Sequence, residues 1–143
     1  MCIRDRPWLV SPNQHEAEQL VGQELFDDED FLMALDTIAE MGARNVHITL
    51  ENGCFALVRE ERQVRRYRAV TPLLEPVSVV GAGDAFLAQW LSAVLDDASA
   101  EDALRLASAA GAASVLEVGA GRFDPGEVKR LLPAVEVHEL QRV

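Results

Sequence analysis

A glycine-rich turn leading into a long apolar segment constrains the fold of this chain more than any other feature. Residues 80–86 read Val-Gly-Ala-Gly-Asp-Ala-Phe; they follow a strand-like, proline-punctuated stretch and open an apolar run that continues to Leu95. Glycine adopts backbone conformations that a side chain forbids, so the chain can turn sharply here and let another group approach closely. The first N–H groups of the helix that follows lack partners, and together with the helix dipole they favour an anion.

Asp84 lies in the first turn of this predicted helix, beside the unpaired N–H groups. A carboxylate next to an anion is useful when it takes a proton from an attacking hydroxyl, which is the arrangement that phosphoryl transfer needs. A structural explanation is equally open at this point. Turns of the type Gly-x-Gly-Asp are common, and aspartate is favourable at the start of any helix.

The composition is that of an acidic globular chain of domain size. Its 143 residues include 24 acidic and 13 basic side chains, for a net charge of −11, and 49% of them are hydrophobic. Such a chain cannot assemble the basic face that nucleic acids require. The sequence contains no membrane-spanning apolar run and no secretory signal pattern, so we expect a cytoplasmic protein without a membrane partner. The two cysteines and three scattered histidines have no metal-ligand spacing, which argues against a zinc site.

Apolar periodicity predicts an α/β domain with one core. Strands are predicted at residues 8–10, 46–50, 55–58, 64–70 and 135–140. Helices are predicted at residues 16–21, 31–41, 83–95, 99–113 and 125–132. The charged residues 59–62 read as a hairpin turn between two of these strands.

Several local patterns add detail to this prediction. Ser99 with Asp102, and the run Asp124-Pro125-Gly126-Glu127, are helix-start signals. The acidic run 27–30 reads as a solvated helix entrance, because no partner ligands for a metal accompany it. Three large aromatic residues are expected in the core, namely Trp8, Phe86 and Trp90.

The first six residues, Met-Cys-Ile-Arg-Asp-Arg, are out of keeping with the rest of the chain. They resemble the translated adapter sequence that precedes incomplete open reading frames, and we interpret residues 1–6 as a non-native leader. The fold then begins at Pro7 or Trp8, already inside an element. We therefore expect residues 7–143 to be the C-terminal part of a longer domain.

Four motifs in the right order resemble those of the ribokinase-like, or PfkB, carbohydrate kinase family. Residues 80–84 resemble its C-terminal glycine signature, and Pro12-Asn13-Gln14-His15-Glu16 its Pro-Asn-x-x-Glu motif. Residues 49–53 match its nucleotide-binding strand and loop, and residues 107–113 its small-residue helix beside the adenine. The resemblance covers the chain after Pro7 and implies the C-terminal portion of a three-layer α/β fold. Within the family, the chain resembles most the hexose-phosphate branch, which comprises the 1-phosphofructokinases, the tagatose-6-phosphate kinases and the minor 6-phosphofructokinase. The residues that carry this resemblance are Pro12-Asn13-Gln14 beside Glu16, Ser78, and the segments 119–123 and 135–137.

The resemblance implies ATP-dependent phosphorylation of a sugar phosphate hydroxyl with the help of Mg²⁺. Asp84 would be the catalytic base, and the backbone of Gly81, Ala82 and Gly83 the anion hole. Asn13 and Glu16 would position Mg²⁺, its waters and the triphosphate. Taken alone, these two residues fit an Asx turn and a helix-start acid better. The residues expected along the nucleotide are Thr49, Gly53, Ala110 and Gly111.

The chain departs from the family pattern at two positions. Val79 replaces a Thr or Ser ahead of the glycine turn, and Glu51 stands where glycine is common in the nucleotide loop. Both changes weaken the expected contacts with ATP and support an alternative, a non-catalytic nucleotide-binding domain. Asp84 argues against that alternative, because a binding-only protein gains nothing from a carboxylate that faces phosphate.

Of two further functional alternatives, the sequence leaves one open and argues against the other. A ribokinase or nucleoside kinase of the same family shares every motif above and remains open. A flavodoxin-like module needs strands that alternate with helices, and the consecutive strands between Val46 and Val70 do not supply it. Family members are about twice as long, with most sugar-binding residues in the N-terminal half. We therefore expect this chain to be inactive alone, with an exposed sheet edge that favours aggregation, and to form part of a full-length protein that can be a homodimer.

Overall fold

The computed structural model describes residues 7–60, 62–72, 82–115 and 124–141. Several predictions fall outside these ranges: the leader at residues 1–6, Ser78 and Val79, the anion-hole residue Gly81, and the segment 119–123. For Ala82 the backbone alone is described.

Ten strands and helices occur in the described ranges, and every predicted element is confirmed. The first part of the chain forms β1 (Leu9–Val10), α1 (Gln14–Val21), α2 (Asp28–Glu40), β2 (Asn45–Leu50), β3 (Gly53–Glu60) and β4 (Gln63–Val70). The second part forms α3 (Ala82–Leu95), α4 (Ala100–Ser114), α5 (Pro125–Leu131), a 3-10 turn (Leu132–Ala134) and β5 (Glu136–Leu140).

The five strands form one mixed sheet in the order β1-β2-β3-β4-β5. β1 and β2 are parallel, with Leu9 opposite Asn45 and Val10 opposite Val46. β3 and β4 are joined by two residues, a connection that antiparallel strands alone allow. The buried Asn45 side chain ties three strands together, because its Nδ2 donates to the Trp8 carbonyl at 3.0 Å and its Oδ1 accepts from the Arg59 N–H at 2.9 Å.

The described residues divide into two compact units. The first unit contains those between positions 1 and 50, 54–68, and those from 139 on; the second contains 51–53 and those between 69 and 138. In the first unit a buried cluster forms around α1, α2 and the sheet, with the rings of Phe31 and Phe55 stacked at 4.4 Å. In the second unit the small residues of α4 pack against α5. Each unit thus contains a cluster of buried apolar side chains among the described residues.

The predicted helix starts are confirmed. Ser99 accepts a hydrogen bond from the Asp102 N–H at 3.2 Å, and Asp124 accepts one from the Gly126 N–H at 2.8 Å. The acidic run is a helix entrance, as predicted, since Asp27 and Asp30 form a reciprocal capping box at the start of α2.

The core prediction for the aromatic residues is confirmed at two positions of three. Phe86 and Trp90 on α3 are buried, at 4% and 3% exposure. Trp8 is 46% exposed, so its prediction is wrong. Trp8 directly precedes β1, the end strand in the sheet order, and an end strand has no neighbouring strand on one side.

Candidate functional site

Asn13 and Glu16 form a reciprocal capping box at the start of α1. The Asn13 Oδ1 accepts from the Glu16 N–H at 2.8 Å, and the Glu16 Oε1 accepts from the Asn13 N–H at 3.0 Å. Both side chains are exposed. Asn13 and Glu16 therefore do cap the N-terminus of α1, which is the structural role that their residue types allow. The box leaves the Asn13 amide nitrogen and the second carboxylate oxygen of Glu16 outside its two bonds, so both groups remain available to a ligand.

The sheet brings Thr49 next to this helix start. Asn13 and Thr49 pair in a parallel bridge, and the Thr49 N–H donates to the Pro12 carbonyl at 3.0 Å. Both residues lie toward the carboxyl ends of parallel strands, the edge at which open α/β sheets bind ligands. A cleft of about 480 Å³ opens beside this edge, lined by Val10, Ser11, Pro12, Glu16, Gln19 and Leu20. Glu16 is the charged residue in that lining.

Gly83 and Asp84 lie in the first turn of α3, within the second unit, and both are exposed. Among the described residues, no atom lies within 4 Å of a Cβ placed on Gly83. None of them therefore requires glycine at this position for packing. The first N–H groups of a helix have no intrahelical partner.

The remaining predicted nucleotide residues have different surroundings. Gly53 begins β3 at a φ of 129°, a conformation that side chains rarely adopt. The Thr71 N–H, just after β4, donates to the carbonyl of the preceding residue, Asn52, at 2.9 Å. Ala110 is fully buried in the α4–α5 cluster. Gly111 is half-buried, so of these two neighbours it is the more accessible to a ligand. Glu51, the residue that departs from the family pattern, is exposed in the β2–β3 turn.

The structure reveals two residues that help to hold α1 in place and that the sequence analysis did not identify. Gln14 and Glu18, one helical turn apart on α1, both bond to the backbone of Leu25: the Gln14 Nε2 donates to its carbonyl at 3.1 Å, and the Glu18 Oε2 accepts from its N–H at 2.8 Å. The spacing of four residues between a Gln and a Glu was the available signal. Their common hydrogen-bond partner, Leu25, lies in a loop, and local sequence patterns do not reveal which loop residue a helix side chain contacts.

Burial shapes the electrostatics of the first unit. His47 lies on β2, two residues before Thr49, and complete burial lowers its pKa to about 3. It is therefore neutral at pH 7 and is not a proton donor there. The Arg68 guanidinium stacks over the Phe55 ring at 4.9 Å, and burial lowers its pKa as well.

No group of three or more His, Cys, Asp or Glu side chains is arranged around a metal position in the described part of the chain. Mg²⁺ keeps several waters and needs one or two carboxylates beside substrate phosphates, so the donor set of Glu16 and Asn13 fits this ion chemically. Among the helices that the structure describes, none has the length and apolarity to cross a membrane.

Comparison with known proteins decides the family. The profile of the pfkB family of carbohydrate kinases matches residues 2–125, which is most of the chain. The chain belongs to the pfkB family. The match includes the strands and helices that carry Asn13, Glu16, Thr49 and Asp84.

Individual relatives agree with this assignment. The pfkB chain is 30% identical to the 1-phosphofructokinase of Escherichia coli (strain K12), a match that covers 94% of the chain and 42% of that protein. Phosphofructokinase-2 from Escherichia coli, solved in complex with potassium, superposes with a TM-score of 0.74 at 29% identity, over 87% of the chain and 40% of that structure. Ribokinase from Thermotoga maritima superposes with a TM-score of 0.70 at 26% identity, over 88% of the chain and 42% of that structure. The chain thus matches well under half the length of each relative, and its fold is the corresponding part of a ribokinase-like kinase.

Proposed function

We propose that this pfkB chain is the part of an ATP-dependent sugar-phosphate kinase that carries the catalytic base and the phosphoryl-binding turn. The observation that carries the proposal is the start of α3. There an exposed carboxylate, Asp84, directly follows Gly83 in the first turn of the helix. A glycine kept for packing would have neighbours within reach of a Cβ, and none of the residues that the structure describes lies there.

In the proposed reaction Asp84 accepts the proton of the acceptor hydroxyl. The hydroxyl oxygen forms a bond to the γ-phosphorus of ATP, and the bond to the bridging oxygen breaks, with ADP as the leaving group. The N–H groups of Gly81, Ala82 and Gly83 would stabilise the negative charge on the transferred group. Donors of this kind are effective because they are already oriented before charge develops.

Mg²⁺ would supply charge neutralisation at the triphosphate. Glu16 is proposed to hold the ion's waters through the carboxylate oxygen that the capping box leaves over, and Asn13 to donate its amide N–H to a phosphate oxygen. The capping box supports this assignment, because it restrains both side chains before a ligand arrives.

The nucleotide itself is proposed to lie along Thr49, Gly53 and Gly111, with Ala110 contributing through the packing of its helix. Thr49 at the carboxyl edge of the parallel strands supports this, since ligands of open α/β sheets bind at that edge. Glu51 points from an exposed turn, and a triphosphate placed near it would be repelled.

The acceptor pocket would lie outside this chain. The chain spans 42% of its 1-phosphofructokinase relative, and we propose that residues 7–143 correspond to the C-terminal part of the kinase domain. The sugar or sugar phosphate would be bound largely by the missing part, in a protein of the cytoplasm, where ATP is abundant. The chain alone is then expected to be inactive.

The decisive experiment restores the upstream sequence and tests the base. The DNA ahead of Pro7 is recovered, joined to this chain, and the product assayed with ATP and fructose 1-phosphate, fructose 6-phosphate, tagatose 6-phosphate or ribose. Asp84→Asn is expected to lower kcat by roughly 10²–10⁴-fold, the range of a general base, with ATP affinity retained. Asp96→Asn, which removes an exposed acid just beyond the other end of α3, is the matched control and is expected to keep full activity.

The same assay separates the alternatives. Turnover of ribose alone favours the ribokinase alternative within the family. ATP binding without turnover of any sugar contradicts the kinase proposal and favours a non-catalytic nucleotide-binding domain. Equal loss of activity in Asp84→Asn and Asp96→Asn contradicts the assignment of the base.

A further inference from the structure

Helix α1 is a short element with little of its own to hold it in place. It has eight residues, and Ala17 is its buried side chain. Isolated helices of this length are not stable in water, so tertiary contacts must hold it. Its first hydrogen bond runs from the Ala17 N–H to the Asn13 carbonyl at 2.9 Å. The Asn13–Glu16 capping box is therefore only as well placed as this first turn.

Two side chains fasten α1 to the core through one residue, Leu25. Leu25 is 2% exposed and belongs to the buried cluster of the first unit. Gln14 donates to its carbonyl and Glu18 accepts from its N–H, so both backbone groups of Leu25 are bonded to α1. The chain leaves α1 at Gly22, which has a φ of 76°, and then runs on to Leu25. At this helix end the N–H groups of Gly22 and Gln23 both donate to the Glu18 carbonyl. We call these two side-chain bonds the Leu25 clamp.

We propose that Gln14 and Glu18 are positioning residues, which act through the Leu25 clamp to hold Asn13 and Glu16 in place for the metal–triphosphate. Gln14 is the first residue of α1 and lies between the two halves of the capping box. A bond from this residue to the buried Leu25 fixes the first turn, and Glu18 fixes the next turn on the same face. The inference rests on the proposed function, because Asn13 and Glu16 are the groups that it positions.

The test uses conservative variants in the full-length protein of the kinase assay. Gln14→Met and Glu18→Met keep the length of the side chain and each remove one bond to Leu25. Glu18→Gln keeps an acceptor for the Leu25 N–H and serves as the rescue variant for Glu18→Met. Gln23→Met changes an exposed glutamine of the adjoining loop and is the matched control. Amide hydrogen exchange at Glu16 and Ala17 is followed by NMR, and affinity for Mg-ATP by calorimetry.

Gln14→Met and Glu18→Met are each expected to speed exchange at Glu16 and Ala17 and to weaken Mg-ATP binding about tenfold, at the lower end of the 10–100-fold typical of residues that orient metal-binding groups. Glu18→Gln and Gln23→Met are expected to match the wild type in both measurements. Thermal unfolding of each variant identifies any global loss of folding.

Three outcomes would overturn the inference. Unchanged exchange at Glu16 and Ala17 in Gln14→Met means that the Leu25 clamp does not hold the helix start. Faster exchange with unchanged Mg-ATP affinity means that the clamp is structural and positions nothing for the ligand. If the wild-type protein binds no Mg-ATP, both the proposed function and this inference are overturned. The wild-type measurement alone shows this, so it is distinguished from an effect of any substitution.

Discussion

Replacement of Gly83 by alanine separates the structural and functional explanations of the glycine turn. A Cβ at Gly83 meets no atom within 4 Å, and its φ lies outside the left-handed region. Alanine is favoured over glycine within a helix by roughly 0.5–1 kcal/mol. Gly83→Ala is therefore expected to stabilise the chain by about 0.5 kcal/mol, a rise in Tm of roughly 1–2 °C for a chain of this size.

The same substitution is expected to damage catalysis. The added methyl group would stand where the transferred phosphoryl group is proposed to sit. The backbone N–H is retained, but a methyl group that keeps the phosphoryl group away from these donors is expected to lower kcat by roughly 10²–10³-fold, the cost of losing one such donor. The two effects thus have opposite signs, which a damaged fold cannot produce. They are measured by circular dichroism during thermal unfolding of this chain and by the kinase assay of the full-length protein.

Gly22→Ala is the matched control. A Cβ at Gly22 also meets no atom within 4 Å, but its φ is +76°. An L-residue in that conformation costs roughly 1–2 kcal/mol, so this variant is expected to unfold at a lower temperature than the wild type. Because neither added Cβ meets an atom of the described residues within 4 Å, the contrast isolates backbone conformation. A fall in Tm for Gly83→Ala would refute this packing argument, and a stabilised variant with full activity would refute the anion hole.

Three further predictions concern stability. Asp36→Asn removes the charge of a half-buried pair with Arg66 at 2.8 Å and is expected to lower the free energy of unfolding by about 1–2 kcal/mol, measured by urea unfolding; an unchanged midpoint would contradict it. Asn45→Ala loses both bonds that link β1 and β3 to β2, and an expected loss of about 2 kcal/mol should lower the urea midpoint without changing the slope. The unfolded chain protonates His47 below its ordinary pKa of 6.5, whereas the folded chain keeps it neutral down to about 3, so stability falls as the pH drops through this window. The loss at pH 5 is about 2 kcal/mol, and His47→Gln should abolish that share of the pH dependence; equal pH dependence in both proteins would contradict it.

Local signals made most of the fold predictable. Apolar periodicity marked every strand and helix, and Asp124 and Ser99 marked two helix starts, because a cap satisfies N–H groups within three residues of itself. The division into two units was not predictable. It depends on which apolar faces meet, and periodicity shows that a face is apolar without naming its partner.

The candidate site was predictable where its residues are close in sequence. Asn13 and Glu16 form a capping box because three residues separate them, whichever function they also serve. The exposure of Trp8 was missed, since residue type indicates burial on average and β1 lies at the end of the sheet order. The Leu25 clamp was missed because its two ends lie in a helix and a loop.

The sequence by itself determined the family, the order of the elements and the identity of the proposed base, because each depends on residues that are neighbours along the chain. The tertiary structure decided that Asn13 lies beside Thr49 and that Ala110 is buried while Gly111 is more accessible. These facts depend on contacts between segments far apart in sequence. Such contacts form only when apolar faces pack, and packing is a property of the whole unit.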